Sequence, residues 1–182
     1  ELIYAGKRAD KHHLRQWETN ALLVEKALEG KNVARVKGGD PFIFGRGGEE
    51  AQELLKAGVE FEIVPGVSSS YAAPAYAGIP VTHRDFASSF HVITGHESAD
   101  KSGLVLDYAT LAKEEGTLVF LMGLKNLPHI AAELIAHGKN PETPAAVVQS
   151  GTTARQRVVT GVLSSIADTA REAGIETPAI TV

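Results

Sequence analysis

The chain of 182 residues contains no cysteine, which excludes disulfides, thiolate metal sites and cysteine nucleophiles together. Aromatic residues make up only 6%, so a core has to be assembled mainly from Ala, Val, Leu and Ile. Positive charge is not in excess: 18 Lys and Arg against 22 Asp and Glu leave a formal net charge of −4. That balance argues against general nucleic-acid binding, which needs a basic face. No apolar run approaches the roughly 18 residues of a membrane span. The seven His include the adjacent pair His12-His13, but none forms an HExxH pattern, so no metal is expected. A GxSxG nucleophile elbow is missing as well.

What is present is an α/β rhythm of short β-rich runs and longer helical ones. Strands are expected at Leu2–Tyr4, Asn32–Val36, Phe61–Val64, Phe90–Thr94, Thr117–Met122, Ala145–Val148, Arg157–Gly161 and from Pro178. Helices are expected at Gln16–Leu28, Gly48–Ala57, Ser68–Ala77, Tyr108–Glu115, Pro128–His137 and Ser165–Ala173. Glu29-Gly30 and Gly58 supply the C-terminal stops. The first part therefore reads as a βαβα unit with a parallel sheet, and the second, with consecutive strands late in the chain, as a mixed sheet. The aperiodic stretch around residues 79–88 marks a crossing between subdomains, placed at 1–84 and 85–182. The opening and closing residues read as strands cut short, so both subdomains are expected to be incomplete at their outer ends.

The densest signal is Lys37-Gly38-Gly39-Asp40-Pro41-Phe42-Ile43-Phe44-Gly45-Arg46-Gly47-Gly48, with five glycines in twelve residues. It leaves an expected strand and feeds a helix, the position at which open α/β sheets bind ligands. It is neither a Walker loop nor GxGxxG, so a nucleotide phosphate is not the obvious guest. Glycine allows close approach of backbone to ligand, and recognition would then rest on peptide groups. Each residue also has a plainer reading. Asp40 before Pro41 can simply fix a turn, Ser68 can be only a helix cap, Met122 core filler, Gly151 a turn residue and Lys7 a solvated charge.

The block Gly38–Glu50 resembles the signature of the uroporphyrinogen-III C-methyltransferases within the tetrapyrrole methylase family. So do Val64-Pro65-Gly66-Val67-Ser68-Ser69, Ala73-Pro74-Ala75-Tyr76-Ala77-Gly78-Ile79-Pro80, Thr82-His83-Arg84-Asp85, Thr94-Gly95-His96, Met122-Gly123-Leu124 and Gln156–Gly161. The resemblance runs along essentially the whole chain. It implies a two-lobed tetrapyrrole methylase fold and a methyl transfer from S-adenosylmethionine (SAM) to a tetrapyrrole. It implies SAM contacts at Gly38, Gly39, Asp40, Ile43, Ser68, Ser69, Met122 and Gly151, and a proton donor at Lys7. The family's aspartate base and its Gly-Pro-Gly-Asp loop would lie ahead of Glu1. It also implies a cytoplasmic homodimer with no nucleic-acid or membrane partner.

An acceptor ringed with carboxylates needs local positive charge, preferably Arg, and Arg46 and Arg84 are the expected substrate contacts, with Lys7 beside them. Other readings stay open: a precorrin or diphthamide methyltransferase of the same family, a binding module without catalysis, or one module of a fused sirohaem synthase.

Overall fold

The computed structural model describes residues 1–5, 14–96 and 106–182. The expected proton donor Lys7 lies outside the described residues. The chain divides into two compact units, Glu1–Val67 and Ser68–Val182. The division falls earlier than the expected 84/85 boundary because residues 69–76 form a helix that packs on two strands of the second unit.

In the first unit, α1 (Gln16–Leu28) and α2 (Gly47–Lys56) pack against each other. Glu18, three residues into α1, reaches back to the Arg15 peptide N–H and satisfies one of the donors that a helix start leaves open. At the other end the peptide N–H groups of Gly30 and Lys31 fold back onto the carbonyls of Ala27 and Lys26. Gly30 sits there at φ +79°, as its place after the last periodic residue predicts.

The parallel sheet expected in this unit is not paired among the described residues. The segments at 2–4, 32–36 and 61–64 take part in no strand ladder. Residues 32–35 and 59–64 instead line one open groove of about 730 Å³, together with Leu23, Ala27 and Leu54. Val33, Val36, Phe61, Ile63 and Val64 are exposed accordingly. Their β-branched and aromatic character was legible; the missing pairing was not.

The second unit opens with α3 (Ser69–Tyr76) and then builds a five-stranded mixed sheet, as expected. Its strands are β1 (Phe90–Thr94), β2 (Thr117–Leu121), β3 (Pro144–Gln149), β4 (Arg157–Val162) and β5 (Ala179–Thr181), in the order β1-β2-β5-β3-β4. β1 and β2 are parallel, with Val92 opposite Val119. β5 runs antiparallel between β2 and β3, pairing Phe120 with Thr181 and Val148 with Ile180. β3 and β4 are antiparallel, with Val147 opposite Val159. Helices α4 (Tyr108–Lys113), α5 (Leu127–Ala136) and α6 (Ile166–Glu172) complete the unit.

β2 shows why this sheet holds. Its sequence Thr-Leu-Val-Phe-Leu is apolar almost throughout, the pattern of a strand covered on both faces. Leu118 and Phe120 point into a cluster with Ile93, Tyr108, Ile130 and Leu134. Val119 and Leu121 point the other way, into a cluster with Ala73, Val148 and Ile180. Each such side chain fully removed from water contributes about 1.5–3 kcal/mol. A third cluster joins Leu127, Val147, Ile166 and Ala170, with Val147 and Ile166 fully buried.

Candidate functional site

The glycine-rich loop of the first unit is organised around Asp40. One carboxylate oxygen accepts the peptide N–H of Phe42 at 2.8 Å, and the other accepts that of Gly66 at 3.0 Å. The Gly66 N–H, followed by that of Phe42, holds the Asp40 carboxyl below its ordinary pKa. The side chain thus ties the turn at 38–40 to the turn at 65–67. The tie requires Gly66, because a Cβ there would fall on the Gly39 carbonyl. Gly39 itself stands at φ +73°, a backbone that disfavours other residues. Inside the loop the peptide N–H groups of Ile43 and Gly47 bond the carbonyls of Asp40 and Pro41.

Both Asp40 carboxylate oxygens are therefore engaged by backbone donors, and the side chain holds the turn it belongs to. Gly38 and Gly39 are exposed. Among the described residues no protein group takes their peptide N–H groups, which leaves those groups free for a ligand. Ile43 is exposed as well, like its sequence neighbours Phe42 and Phe44.

Arg46 starts α2 in a left-handed conformation, φ +58°, and Phe44 two residues earlier has φ +52°. Two hydrogen bonds from its guanidinium, Nε at 2.8 Å and Nη2 at 2.6 Å, engage the Glu49 carboxylate. The pairing raises the Arg46 pKa and lowers that of Glu49. Both side chains are half exposed, and an ion pair of that kind contributes about 0–1 kcal/mol.

Behind the loop lies Glu50, which is only 5% exposed. It accepts from Lys37 at 2.8 Å, Gln16 at 3.2 Å and Arg35 at 3.3 Å. Burial pushes its pKa up, but the bonds from Lys37 and Gln16 and the charges of Lys37 and Arg35 outweigh it, so the carboxyl is held below its ordinary range.

In the second unit, Ser68, of the three serines that open the helix, is the one that caps α3, its hydroxyl accepting the Ser70 peptide N–H at 3.2 Å. Ser68 is buried, whereas Ser69 is exposed. Met122 follows β2 at φ +59° with its side chain 54% exposed, so it is not core filler. Gly151 lies between Ser150 (φ +47°) and Thr152 (φ +68°), and a Cβ on it would collide with Ala73 of α3. Its smallness is thus demanded by packing. Strained non-glycine residues at 122, 150 and 152 mark loops whose shape the surrounding structure imposes, a common property of ligand-binding turns.

Three residues escaped the sequence reading of the site. Gly66 stood in the sequence as one member of the run at 64–69, with no role of its own in the site. Asn126 donates to the Gly95 carbonyl at 2.7 Å. Gln156 receives the Thr152 peptide N–H at 2.8 Å and donates to the Tyr76 carbonyl at 3.1 Å, linking the strained loop to α3. Only tertiary contacts reveal the last two.

Arg84 is exposed in a tight turn closed by His83 and Ala87. It borders a polar cavity of about 460 Å³ with Lys113, but also with Asp85, Glu114 and Glu115. Arg84 thus shares that cavity with one other cation and three carboxylates. Among the described residues no group of His, Asp and Glu could hold a metal ion. No helix of the described residues is long and apolar enough to cross a membrane.

Residues 2–167 match the family model of the Tetrapyrrole (Corrin/Porphyrin) Methylases. The chain belongs to the tetrapyrrole methylase family. It is 55% identical over 182 residues to the S-adenosyl-L-methionine-dependent uroporphyrinogen III methyltransferase of Methanosarcina barkeri, covering all of this chain and 71% of that one. It is 53% identical over 182 residues to the uroporphyrinogen-III C-methyltransferase of Bacillus subtilis, again over all of this chain but only 38% of that longer protein. Among solved structures, the uroporphyrin-III C-methyltransferase of Thermus thermophilus complexed with S-adenyl homocysteine superposes with a TM-score of 0.74 at 36% identity, covering 91% of this chain and 71% of that one. As a member of the tetrapyrrole methylases, the chain has the two-domain α/β fold of its structural neighbours.

Proposed function

We propose that this protein is a SAM-dependent uroporphyrinogen-III C-methyltransferase, acting at C2 and C7 of the ring to give precorrin-2 for sirohaem and cobalamin biosynthesis. The observation that carries the reading is the 55% identity to a SAM-dependent uroporphyrinogen III methyltransferase, sustained over every residue of the chain. The geometry of the first unit supports it: a turn at Gly38-Gly39 with free peptide groups, fixed from behind by Asp40.

SAM supplies a methyl group already activated by its sulfonium. The protein then has to orient donor and acceptor and keep water out. Peptide groups of Gly38 and Gly39 suit that task better than charged side chains, which a cationic sulfonium would disturb. In this reading Ile43, Ser68, Ser69, Met122 and Gly151 complete the cofactor contacts, with Ser68 and Gly151 acting through the shape of their turns. Arg46 exchanges Glu49 for a substrate carboxylate, and Arg84 is the weaker anion contact. Lys7 serves as the proton donor for the ring system. The enzyme works in the cytoplasm as a homodimer.

Turnover of uroporphyrinogen III with release of S-adenosylhomocysteine tests the proposal. Lys7→Ala is expected to lower turnover with SAM binding retained, and Gly39→Trp to abolish SAM binding. A folded protein giving no heat with SAM or S-adenosylhomocysteine in calorimetry overturns it.

A further inference from the structure

The buried cluster behind the glycine loop is not accounted for by contact with cofactor or substrate. Glu50 lies in the first turn of α2, where its carboxylate gathers Lys37, Arg35 and Gln16 from two other segments. The Lys37 side chain is itself only 12% exposed, and its Nζ lies 2.8 Å from Glu50 Oε2. Lys37 is the last residue before Gly38, and Glu50 is the second residue after Gly48. The ion pair therefore joins the two ends of the loop across a gap of 13 residues in sequence.

A loop of many glycines has more backbone freedom to lose on binding than any other composition. Holding its two ends together before a ligand arrives removes part of that cost. The alternatives for Glu50 are weaker. A surface ion pair would contribute little, but this one is out of water, and a buried carboxylate that loses its partners is strongly disfavoured.

We infer that Glu50, acting through Lys37, is a positioning residue that closes the neck of the glycine loop and sets the Gly38-Gly39 turn for SAM. The inference rests on the proposed function, since it needs that turn to be the cofactor contact.

The test is calorimetry of S-adenosylhomocysteine with the intact chain carrying Glu50→Gln, Lys37→Met, both together, or Lys37→Arg, beside steady-state kinetics. Each single variant is expected to weaken binding about tenfold, the scale of one charged hydrogen bond. The double variant should be no weaker than the singles, and Lys37→Arg should rescue most of the affinity. KM for SAM should rise while kcat at saturating SAM stays within about twofold of the unaltered protein, as for lost uniform binding. A structural role alone would lower the melting temperature and leave affinity and KM unchanged, which overturns the inference. Should Glu50→Gln fail to fold, Lys37→Met and Lys37→Arg still decide it: equal affinity for both refutes the inference. If the unaltered protein binds no S-adenosylhomocysteine, the proposed function fails and this inference with it.

Discussion

The two units bury opposite kinds of side chain. In the second unit the centre is apolar, with Val119, Val147 and Ile166 fully removed from water on the sheet and its helices. Its buried polar residues, among those described, are Ser68, Ser70 and Thr181, all with hydroxyl side chains. In the first unit the buried side chains among the described residues are Thr19 and Glu50, and Val33, Phe61, Ile63 and Val64 face an open groove. One unit is held by volume and shape, the other by a charged knot and two tied turns. The first kind of organisation resists change; the second transmits it to the loop it supports.

Three experiments break or sharpen that contrast. The largest effect is expected in the apolar unit. Ile166→Ala should cost about 2–5 kcal/mol through lost burial and an unfilled cavity, read as a lowered melting temperature in circular dichroism. A loss under about 1 kcal/mol would mean that the third cluster collapses freely around the gap.

Gly66→Val should cost less in stability, about 1–3 kcal/mol as for other overpacked sites, yet more in function. The added side chain drives the Gly39 carbonyl aside and parts Asp40 from the Gly66 peptide. Affinity for S-adenosylhomocysteine should fall well beyond the stability change. Retained affinity would separate the 65–67 turn from the cofactor.

The smallest effect is an acid transition. Asp40 and Glu50 both have carboxyl groups held below their ordinary pKa in the folded chain. The unfolded chain then binds more protons near the ordinary carboxylate pKa of about 4. Stability from these groups is complete above that pH and is lost as pH falls through the lower folded values. The first unit should loosen on that descent while the second, lacking buried charge among its described residues, holds. Trp17 in α1 is the only tryptophan of the chain, so its fluorescence reports the first unit alone. A fluorescence change coinciding with loss of the sheet signal at every pH would contradict the contrast.

The same contrast explains what sequence reading reached. Gln16–Leu28 was legible because its apolar spacing, its Gly30 stop and its charged outer face all agree. β2 was legible because a run such as Leu-Val-Phe-Leu has no home outside a covered strand. The pairing of 32–36 and 61–64 was not, since β-branched residues state a preference for extended backbone without naming a neighbour. At the site, the glycine loop was visible as composition. The use of Asp40 on the Gly66 peptide was not, because the bond joins residues 26 positions apart. Arg46 stood out as a cation, but its bidentate hold on Glu49 shows only in the folded chain.

Gln156 carries a chemical restriction of its own. Its carboxamide presents one acceptor to Thr152 and one donor to Tyr76 at the same time. A carboxylate of equal size would face the Tyr76 carbonyl with lone pair against lone pair, and an ammonium would meet the Thr152 peptide with proton against proton. Position 156 is thus limited to a two-signed head group, and isosteric Gln156→Glu should be more damaging than its single-atom difference suggests.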